Sequence, residues 1–164
     1  MKFTCTKTNF NNGINIALKA VPGKTTMPIL ECVVIEAKGD MVKLTTNDMQ
    51  LGIETKIPAE IEQDGIILVN AKMISEIVRR LPDDDVNFEV DENNNILLFC
   101  GKSKFNIPGI PHDEFPMLPK IEADKTIRIS QFTLKEMIRQ TIFSISDNDN
   151  NKLMTGELFD INGE

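Results

Sequence analysis

The chain has 164 residues, 41% of them hydrophobic and 26% charged, which is an ordinary composition for a globular protein. Its longest apolar runs are only a few residues, too short to cross a membrane. The net charge of −7 argues against general nucleic-acid binding, so any such function must depend on how the charge is distributed.

The first part of the chain is predicted to form a strand, a helix and three further strands. Thr6 or Thr8 can cap the helix, and Pro22-Gly23 ends it. A Lys38-Gly39-Asp40 turn favours a hairpin between two of the strands. The predicted elements are a strand at 2–6, a helix at 7–20 and strands at 29–38, 41–46 and 51–57.

The same order of elements then restarts, with Asn70 as a plausible helix cap. The predicted elements are a strand at 65–69, a helix at 71–81 and strands at 86–90, 96–100 and 103–107. Two βαβββ halves of this kind predict an α+β domain, with sheet on the outside and two helices on one face.

A second unit is predicted after a proline-rich segment. Pro108–Pro119 holds four prolines and is interpreted as an extended linker at a domain boundary. A gapless shift of 124 residues places the apolar positions of residues 3–35 on apolar positions further along the chain. Residues 126–161 should therefore repeat a strand, a helix capped by Ser130 and a strand. Such a beginning cannot bury its own apolar face, so the sequence is expected to be truncated relative to its architecture.

Positive charge is concentrated on the three predicted helices. They carry seven basic and two acidic side chains, whereas the rest of the chain carries 11 basic and 23 acidic ones. Helices side by side would form a cationic surface that contacts phosphates without reading sequence. The alternative is that these are only the solvated faces of amphipathic helices. The basic residues are Lys7, Lys19, Lys72, Arg79, Arg80, Lys135 and Arg139.

Evidence for catalysis or a metal site is weak. His112 lies in the proline-rich segment without a partnered nucleophile, and a solvated residue is the simpler interpretation. The loop at 147–152 resembles the start of a calcium-binding loop, but Lys152 replaces the required glycine and Leu158 the required glutamate. We therefore expect no cofactor and no metal. A metal-dependent enzyme using Asp147 and Asp149 is a distant alternative.

The three cysteines have no metal or redox spacing. Cys5, Cys32 and Cys100 each lie in a β-like run, so buried, reduced thiols in a cytoplasmic protein are expected. The last predicted strand of the first unit, at 103–107, alternates basic and apolar residues. This pattern can protect a sheet edge from aggregation or form a seam with another chain, and both interpretations remain open.

Several motifs together resemble the bacterial DNA polymerase III beta subunit family, the sliding clamps. Their order and spacing are collinear with that family over the whole chain. The motifs are Met1-Lys2-Phe3, Thr26-Met27-Pro28-Ile29-Leu30, Thr46-Asn47-Asp48-Met49-Gln50-Leu51-Gly52-Ile53, Phe115-Pro116-Met117-Leu118-Pro119 and the segment from Phe143-Ser144 to Thr155-Gly156. The resemblance implies a DNA-clamp fold: a ring of two head-to-tail subunits, each with three similar domains, sheets outside and helices lining the hole.

The resemblance also implies roles for individual residues. Lys24 matches a basic loop position that touches DNA, and Asn148 matches a polar contact position in the second domain. Asn151 lies where clamps commonly carry Arg, and Lys152 where aromatic residues occur. The expected DNA-contacting set is Lys24, Lys72, Arg79, Arg80, Lys135, Arg139, Asn148, Asn151 and Lys152. The expected subunit-interface set is Lys72, Lys102, Lys104, Phe105 and Ile107, and the family's partner-peptide cleft begins near Met154.

The sequence is thus interpreted as the N-terminal part of a sliding clamp, with a complete first domain at 1–120, the start of a second at 121–164 and no third. The whole protein is expected to be a non-enzymatic, cytoplasmic processivity factor and homodimer that encircles duplex DNA without sequence specificity. Its expected partners are the replicative polymerase, the clamp loader and other clamp-binding peptides. This fragment is not expected to close a ring. The alternative is an acidic protein–protein interaction module with no role on DNA.

Overall fold

The computed structural model describes residues 1–119, 126–148 and 150–161, with the side chain of Lys152 excepted. The chain divides into two compact units, Met1–Pro119 and Lys120–Glu164. Among the described residues, no helix has the length and apolar composition that crossing a membrane requires.

The first unit contains nine strands and two α-helices. They are β1 (Lys2–Thr6), α1 (Lys7–Ala17), β2 (Cys32–Lys38), β3 (Met41–Asn47), β4 (Gly52–Pro58), β5 (Glu60–Gln63), β6 (Gly65–Asn70), α2 (Ala71–Arg80), β7 (Asp85–Val90), β8 (Asn95–Cys100) and β9 (Ser103–Pro108). Thr6 and Asn70 cap the two helices, accepting hydrogen bonds from the amides of Asn9 at 3.3 Å and Met73 at 2.9 Å. The predicted doubling of a βαβββ motif is confirmed, with β5 as an addition to the first half.

The two halves exchange their first strands. One sheet has the order β5-β1-β7-β8-β9 and the other β4-β3-β2-β6. β1 therefore pairs with β7 of the second half, and β6 pairs with β2 of the first, both antiparallel. Neither half completes a sheet without the other, so the two motifs form a single cooperative domain rather than two small ones.

A single apolar core joins both sheets to both helices, and its centre is aromatic. Phe3 and Phe88 stack with ring centroids 4.8 Å apart, and Phe10 of α1 meets each of them edge-on at 6.0 and 6.1 Å. Ile14 of α1 and Ile74 of α2 are buried in the same cluster. Because the inward faces of α1 and α2 are apolar, their polar faces remain on the opposite side of the helix layer.

Gly13 allows α1 to approach the sheet closely. A Cβ atom at this position would lie 2.8 Å from Ile57 Cγ2 and 2.9 Å from Leu44 Cδ1. Glycine inside a helix costs about 1 kcal/mol relative to alanine. Here the close packing of α1 against β3 and β4, which only glycine permits, offsets that cost.

Two local predictions are wrong. Pro28–Glu31 forms a 3₁₀ helix before β2 rather than the start of a strand, closed by a hydrogen bond from Leu30 N to Met27 O of 3.0 Å. Pro28 has a fixed φ and lacks an N–H group, which favours this turn over strand pairing. β5 was not predicted because Glu60–Gln63 has only one apolar residue, and its pairing with β1 is a non-local contact.

The interpretation of residues 108–119 as a linker is also wrong, because this segment covers the outer face of the four-stranded sheet. Phe115 is buried in a second apolar cluster with Cys32, Val34 and Leu68. Leu68 and Ile110 exchange backbone hydrogen bonds of 3.0 and 2.9 Å. These contacts stabilise the first unit, which extends to Pro119.

Adjacent threonines in β3 should respond in opposite ways to valine. Thr46 Oγ1 donates a buried 2.6 Å hydrogen bond to Ala17 O, whereas buried Thr45 Oγ1 has no hydrogen-bond partner among the residues that the structure describes. Thr46→Val should lower the free energy of unfolding by about 0.5–1.5 kcal/mol, because it removes this buried hydrogen bond to the Ala17 carbonyl. Thr45→Val should leave it unchanged or raise it by up to about 1 kcal/mol. Urea unfolding of both variants measures the difference, and equal effects would contradict these assignments.

The second unit repeats the start of the first. α3 (Gln131–Thr141) and a 3₁₀ helix at Lys152–Thr155 begin 124 residues after α1 and the 3₁₀ helix at Pro28–Glu31. Its Ser130 cap accepts from Thr133 N at 3.0 Å, as Thr6 does in α1. The hydrogen bond from Met154 N to Asn151 O, 3.0 Å, also repeats that from Leu30 N to Met27 O. The predicted repeat is therefore confirmed for the helix, its cap and the turn that follows.

No strand occurs in the described parts of this second unit, so the strands predicted around Ile127 and Leu158 are wrong for this chain. A strand requires a hydrogen-bonded neighbour, and the described segments provide none. As a result, no residue of α3 is buried. An open apolar groove of about 700 Å³ remains, lined by residues that include Ile127, Leu134, Met137 and Phe159.

All three cysteines are free and buried, as predicted. Burial raises the pKa of the Cys5 thiol to about 12, and the nearby Asp85 carboxylate adds to this effect. Burial is also the main reason for the raised pKa of Cys32 and Cys100. Thiols held protonated in this way are poor nucleophiles and metal ligands.

Candidate nucleic-acid interface

The polar faces of α1 and α2 form one continuous side of the first unit, because the two helices pack against each other. On α1 and the turn that follows, this side exposes uncharged Thr8, Asn12 and Asn15 together with Lys19. Lys7 is half-buried at the start of α1. The α1 contribution is therefore mostly uncharged: three short polar side chains and Ile16 are exposed, and one exposed lysine follows the helix.

α2 supplies most of the charge on this side. Lys72 is exposed in the first turn, and Arg79 and Arg80 are exposed in the last. Glu76 lies between them and binds both arginines: Arg79 Nη2 lies 2.9 and 2.7 Å from its two carboxylate oxygens, and Arg80 Nη2 lies 3.2 Å from one of them. Cations at a helix C-terminus also interact favourably with the helix dipole.

Lys24 is exposed on the loop between α1 and the 3₁₀ helix at Pro28–Glu31. The loop is ordered from within, because Met27 N donates to Thr25 Oγ1 at 3.0 Å. Among the described residues no carboxylate forms an ion pair with Lys24, Lys19 or Lys72. These three ammonium groups are therefore not neutralised by a described neighbour and can attract an anion.

In the second unit, Lys135 and Arg139 are exposed on α3. Glu136 binds Arg139 through Nε at 3.2 Å to both carboxylate oxygens and through Nη2 at 2.8 Å to one. Lys135 has no ion pair among the described residues. In both helices a glutamate thus binds arginine while a lysine has no described ion pair, with two bound arginines on α2 and one on α3.

The loop after α3 uses its asparagines to order its own backbone. Asn148 Oδ1 accepts from Asn150 N at 3.0 Å, and Asn151 Oδ1 accepts from Leu153 N at 3.2 Å at the start of the 3₁₀ helix. Both residues are exposed. Asp149 and the side chain of Lys152 lie outside the described residues. A contact of this loop with DNA remains a prediction.

The described residues contain no group of three or more His, Cys, Asp or Glu side chains arranged to hold a metal ion. Asp147 is exposed, and Asp149, its partner in the metal alternative, is outside the described part. His112 accepts a turn hydrogen bond at its carbonyl from Phe115 N, 3.0 Å.

β9 forms one edge of the five-stranded sheet, where an interface with another subunit was predicted. Lys102, Lys104 and Asn106 are exposed there, and Lys104 Nζ lies 5.7 Å from the ring centroid of Phe99 on the neighbouring strand. Ile107 is buried in the core, so this residue can reach another chain only through its backbone. Phe105 packs partly against the same core.

Sequence reasoning missed the two glutamates that bind the arginines. Glu76 precedes Arg79 and Arg80 by three and four residues, and Glu136 precedes Arg139 by three. On a helix these spacings place side chains next to each other, so the signal was available in the sequence. The sum of charges over each helix did not reveal these ion pairs.

Comparisons with known proteins agree on one family. The family described as "DNA polymerase III beta subunit, N-terminal domain" matches residues 1–119. Beta sliding clamps from Bacillus subtilis and Halalkalibacterium halodurans are 39% identical over 164 residues and 36% over 169, covering 95% and 98% of this chain. This chain covers only 43% and 44% of those two relatives.

Solved structures show the same fold. The crystal structure of a putative DNA polymerase III beta subunit from Eubacterium rectale has a TM-score of 0.91 and 57% identity, over 98% of this chain and 44% of that one. The Bacillus subtilis sliding clamp has a TM-score of 0.86 and 39% identity, over 92% and 42%. The chain thus spans less than half the length of the proteins that it matches.

Proposed function

Because this chain belongs to the DNA polymerase III beta subunit family, the bacterial sliding clamps, we propose that it forms part of a ring that encircles duplex DNA. The proposed role is that of a processivity factor in replication. The ring binds without sequence specificity and tethers the replicative polymerase. Tethering raises the effective concentration of the polymerase at the DNA and requires no bond to be made or broken by the clamp.

The observation that supports this proposal best is the positive charge on the surface of the first unit that the polar faces of α1 and α2 form. In an otherwise acidic chain, α1, α2 and the Lys24 loop together expose five cations: Lys19, Lys24, Lys72, Arg79 and Arg80. Their neighbours on α1 are short polar side chains and one exposed apolar side chain, Ile16, and no exposed aromatic side chain accompanies them. Such a surface suits contact with phosphates rather than with base edges.

We further propose that residues 1–120 form the first of three similar domains and that 121–164 begin the second. The exposed apolar groove of the second unit supports this, since it needs further strands to cover it. The relatives are more than twice as long as this chain, which is long enough for such additional strands. Residues 1–164 alone should therefore not close a ring.

In the longer protein, we propose a head-to-tail homodimer in which β9 meets a second subunit. The exposed edge of the five-stranded sheet and the side chains of Lys102, Lys104 and Phe105 support this role. Lys72 is assigned to the same seam on the family resemblance alone. Sedimentation of the longer protein, which should show two subunits, tests the assembly.

The remaining proposed partners are the clamp loader and other peptides that bind clamps. Met154, assigned to the start of the peptide cleft, is exposed in the 3₁₀ helix after α3. Equivalent Leu30 of the first unit is buried, so the two repeats differ at this position. The proposed setting for all of these interactions is the cytoplasm.

Lys24→Glu should weaken duplex binding by the 164-residue chain about threefold to tenfold at low salt, because it replaces an attraction for phosphate by a repulsion. Fluorescence anisotropy with a labelled duplex measures the affinity, and circular dichroism checks the fold. Lys38→Glu is the matched control: it makes the same charge change at an exposed position on β2, away from the helices. Equal losses for the two variants would remove Lys24 from the interface.

A further inference from the structure

Every exposed arginine on helices α2 and α3 is held by a glutamate of its own helix. Arg79 and Arg80 share Glu76, with shortest contacts of 2.7 and 3.2 Å, and Arg139 binds Glu136 at 2.8 Å. The exposed lysines of the same helices, Lys72 and Lys135, have no ion pair among the described residues. Before DNA binds, the positive charge of each arginine is therefore partly neutralised by a glutamate, whereas that of each lysine is not neutralised by a described neighbour.

The arrangement occupies the same place in both helices. Glu76 is the sixth residue of α2 and Arg79 the ninth, and Glu136 and Arg139 have the same positions in α3. One glutamate thus stands in the centre of the polar face of each helix, with its carboxylate toward the last turn. These are the only acidic residues within the described helices α1, α2 and α3.

A carboxylate and a phosphate compete for the same donors. The guanidinium group presents a planar fork of N–H groups that suits either anion in bidentate geometry. Binding of these arginines to phosphate would displace the glutamate, and the carboxylate would remain nearby as a like charge. Ion pairs between exposed side chains are weak, so displacement of the glutamate is reversible and costs little.

We propose that Glu76 and Glu136 act as internal competitors that limit how tightly the helix surface holds DNA. The inference rests on the proposed function of this surface. The lysines supply a constant attraction, whereas each arginine exchanges between its glutamate and a passing phosphate. A ring that must move along DNA benefits from contacts that are individually brief, because no single phosphate then holds it in place.

Glu76→Gln tests the proposal in the 164-residue chain. Removing the competing charge should tighten binding to a labelled duplex about threefold to tenfold at low salt, since a repulsion is lost and two guanidinium groups are released. The slope of log affinity against log salt should also steepen by about one unit if one further phosphate is contacted. Glu136→Gln should act in the same direction through Arg139.

Glu62→Gln is the matched control. Glu62 is also exposed and pairs with a cation, Lys2 at 3.0 Å, but it lies on β5 in the sheet. The control makes the same change in net charge and should alter duplex affinity less than twofold. If Glu62→Gln and Glu76→Gln tighten binding equally, net charge alone explains the effect and the proposal is overturned.

A double-mutant cycle separates release of the arginines from simple loss of repulsion. In an Arg79→Ala, Arg80→Ala background only the loss of repulsion remains, so Glu76→Gln should tighten binding less than it does with both arginines present, and an undiminished gain would overturn the proposed exchange. A chain that shows no salt-dependent duplex binding at all would refute the proposed function, and the inference with it. A chain that binds normally but does not respond to Glu76→Gln would refute the inference alone.

Discussion

Phe88→Ala is expected to lower the free energy of unfolding of the first unit by about 3–5 kcal/mol, the usual cost of emptying a fully buried aromatic site. Phe88 is 0% exposed and contacts the rings of both Phe3 and Phe10. Each aromatic pair contributes about 0.5–1.5 kcal/mol beyond its buried area. Since whole domains are stable by only about 5–15 kcal/mol, the variant should be close to unfolded.

Urea unfolding of the 164-residue chain, followed by circular dichroism, measures this loss. Phe99→Ala is the control, because Phe99 lies on the adjacent strand β8 but on the opposite, half-exposed face of the same sheet. Its expected cost is about 1 kcal/mol, from the smaller apolar area removed from water. Similar costs for the two variants would contradict the position of the core between this sheet and the helices.

Short-range patterns predicted both helices and eight of the nine strands of the first unit, all except β5. Apolar runs bounded by turn residues identified its longer strands, and the spacing of Phe10, Ile14 and Ala17 identified α1 together with its buried face. Thr6, Asn70 and Ser130 were recognisable as caps because a single side-chain oxygen completes the first turn of each helix. These features depend on residues within one or two turns of each other.

Features that depend on distant contacts were not predictable in the same way. The exchange of β1 and β6 between sheets follows from non-local pairing, which leaves no periodic signal. The segment ending at Pro119 was taken for a linker because prolines mark both free linkers and extended segments that pack on a surface. Only the burial of Phe115 against Cys32, Val34 and Leu68 distinguishes the two cases.

The candidate site was predictable as a set of cations but not as a set of contacts. Net charge showed that the helices are basic, and the structure adds which cations are already bound. Lys72 and Arg79 belong to the same helix, yet only Arg79 has a carboxylate within reach. The repeated 3₁₀ helices show that the internal repeat extends through loops of low sequence identity: the hydrogen bond from Leu30 N to Met27 O recurs from Met154 N to Asn151 O.

Duplex binding by the 164-residue chain is expected to depend more strongly on salt than on any single substitution. Each phosphate neutralised by a cation contributes about −0.9 to the slope of log affinity against log salt. If about four of the five exposed cations of the first unit contact phosphates, the slope is about −4 and affinity falls about 10⁴-fold for a tenfold rise in salt. The acidic remainder of the chain confines this binding to low ionic strength.

Anisotropy titrations at several salt concentrations, with two duplexes of unrelated sequence, measure this dependence. The two duplexes should bind equally, because a surface of lysines, arginines and short polar side chains contacts phosphates and reads no base edges. Lys24→Glu should reduce the magnitude of the slope by about 0.9, the contribution of one phosphate contact. Lys38→Glu should leave the slope unchanged. A salt-independent affinity, or a strong preference for one duplex, would contradict the clamp function. The absence of binding even at low salt would favour an acidic protein–protein interaction module, in which the basic faces of α1 and α2 are only solvated.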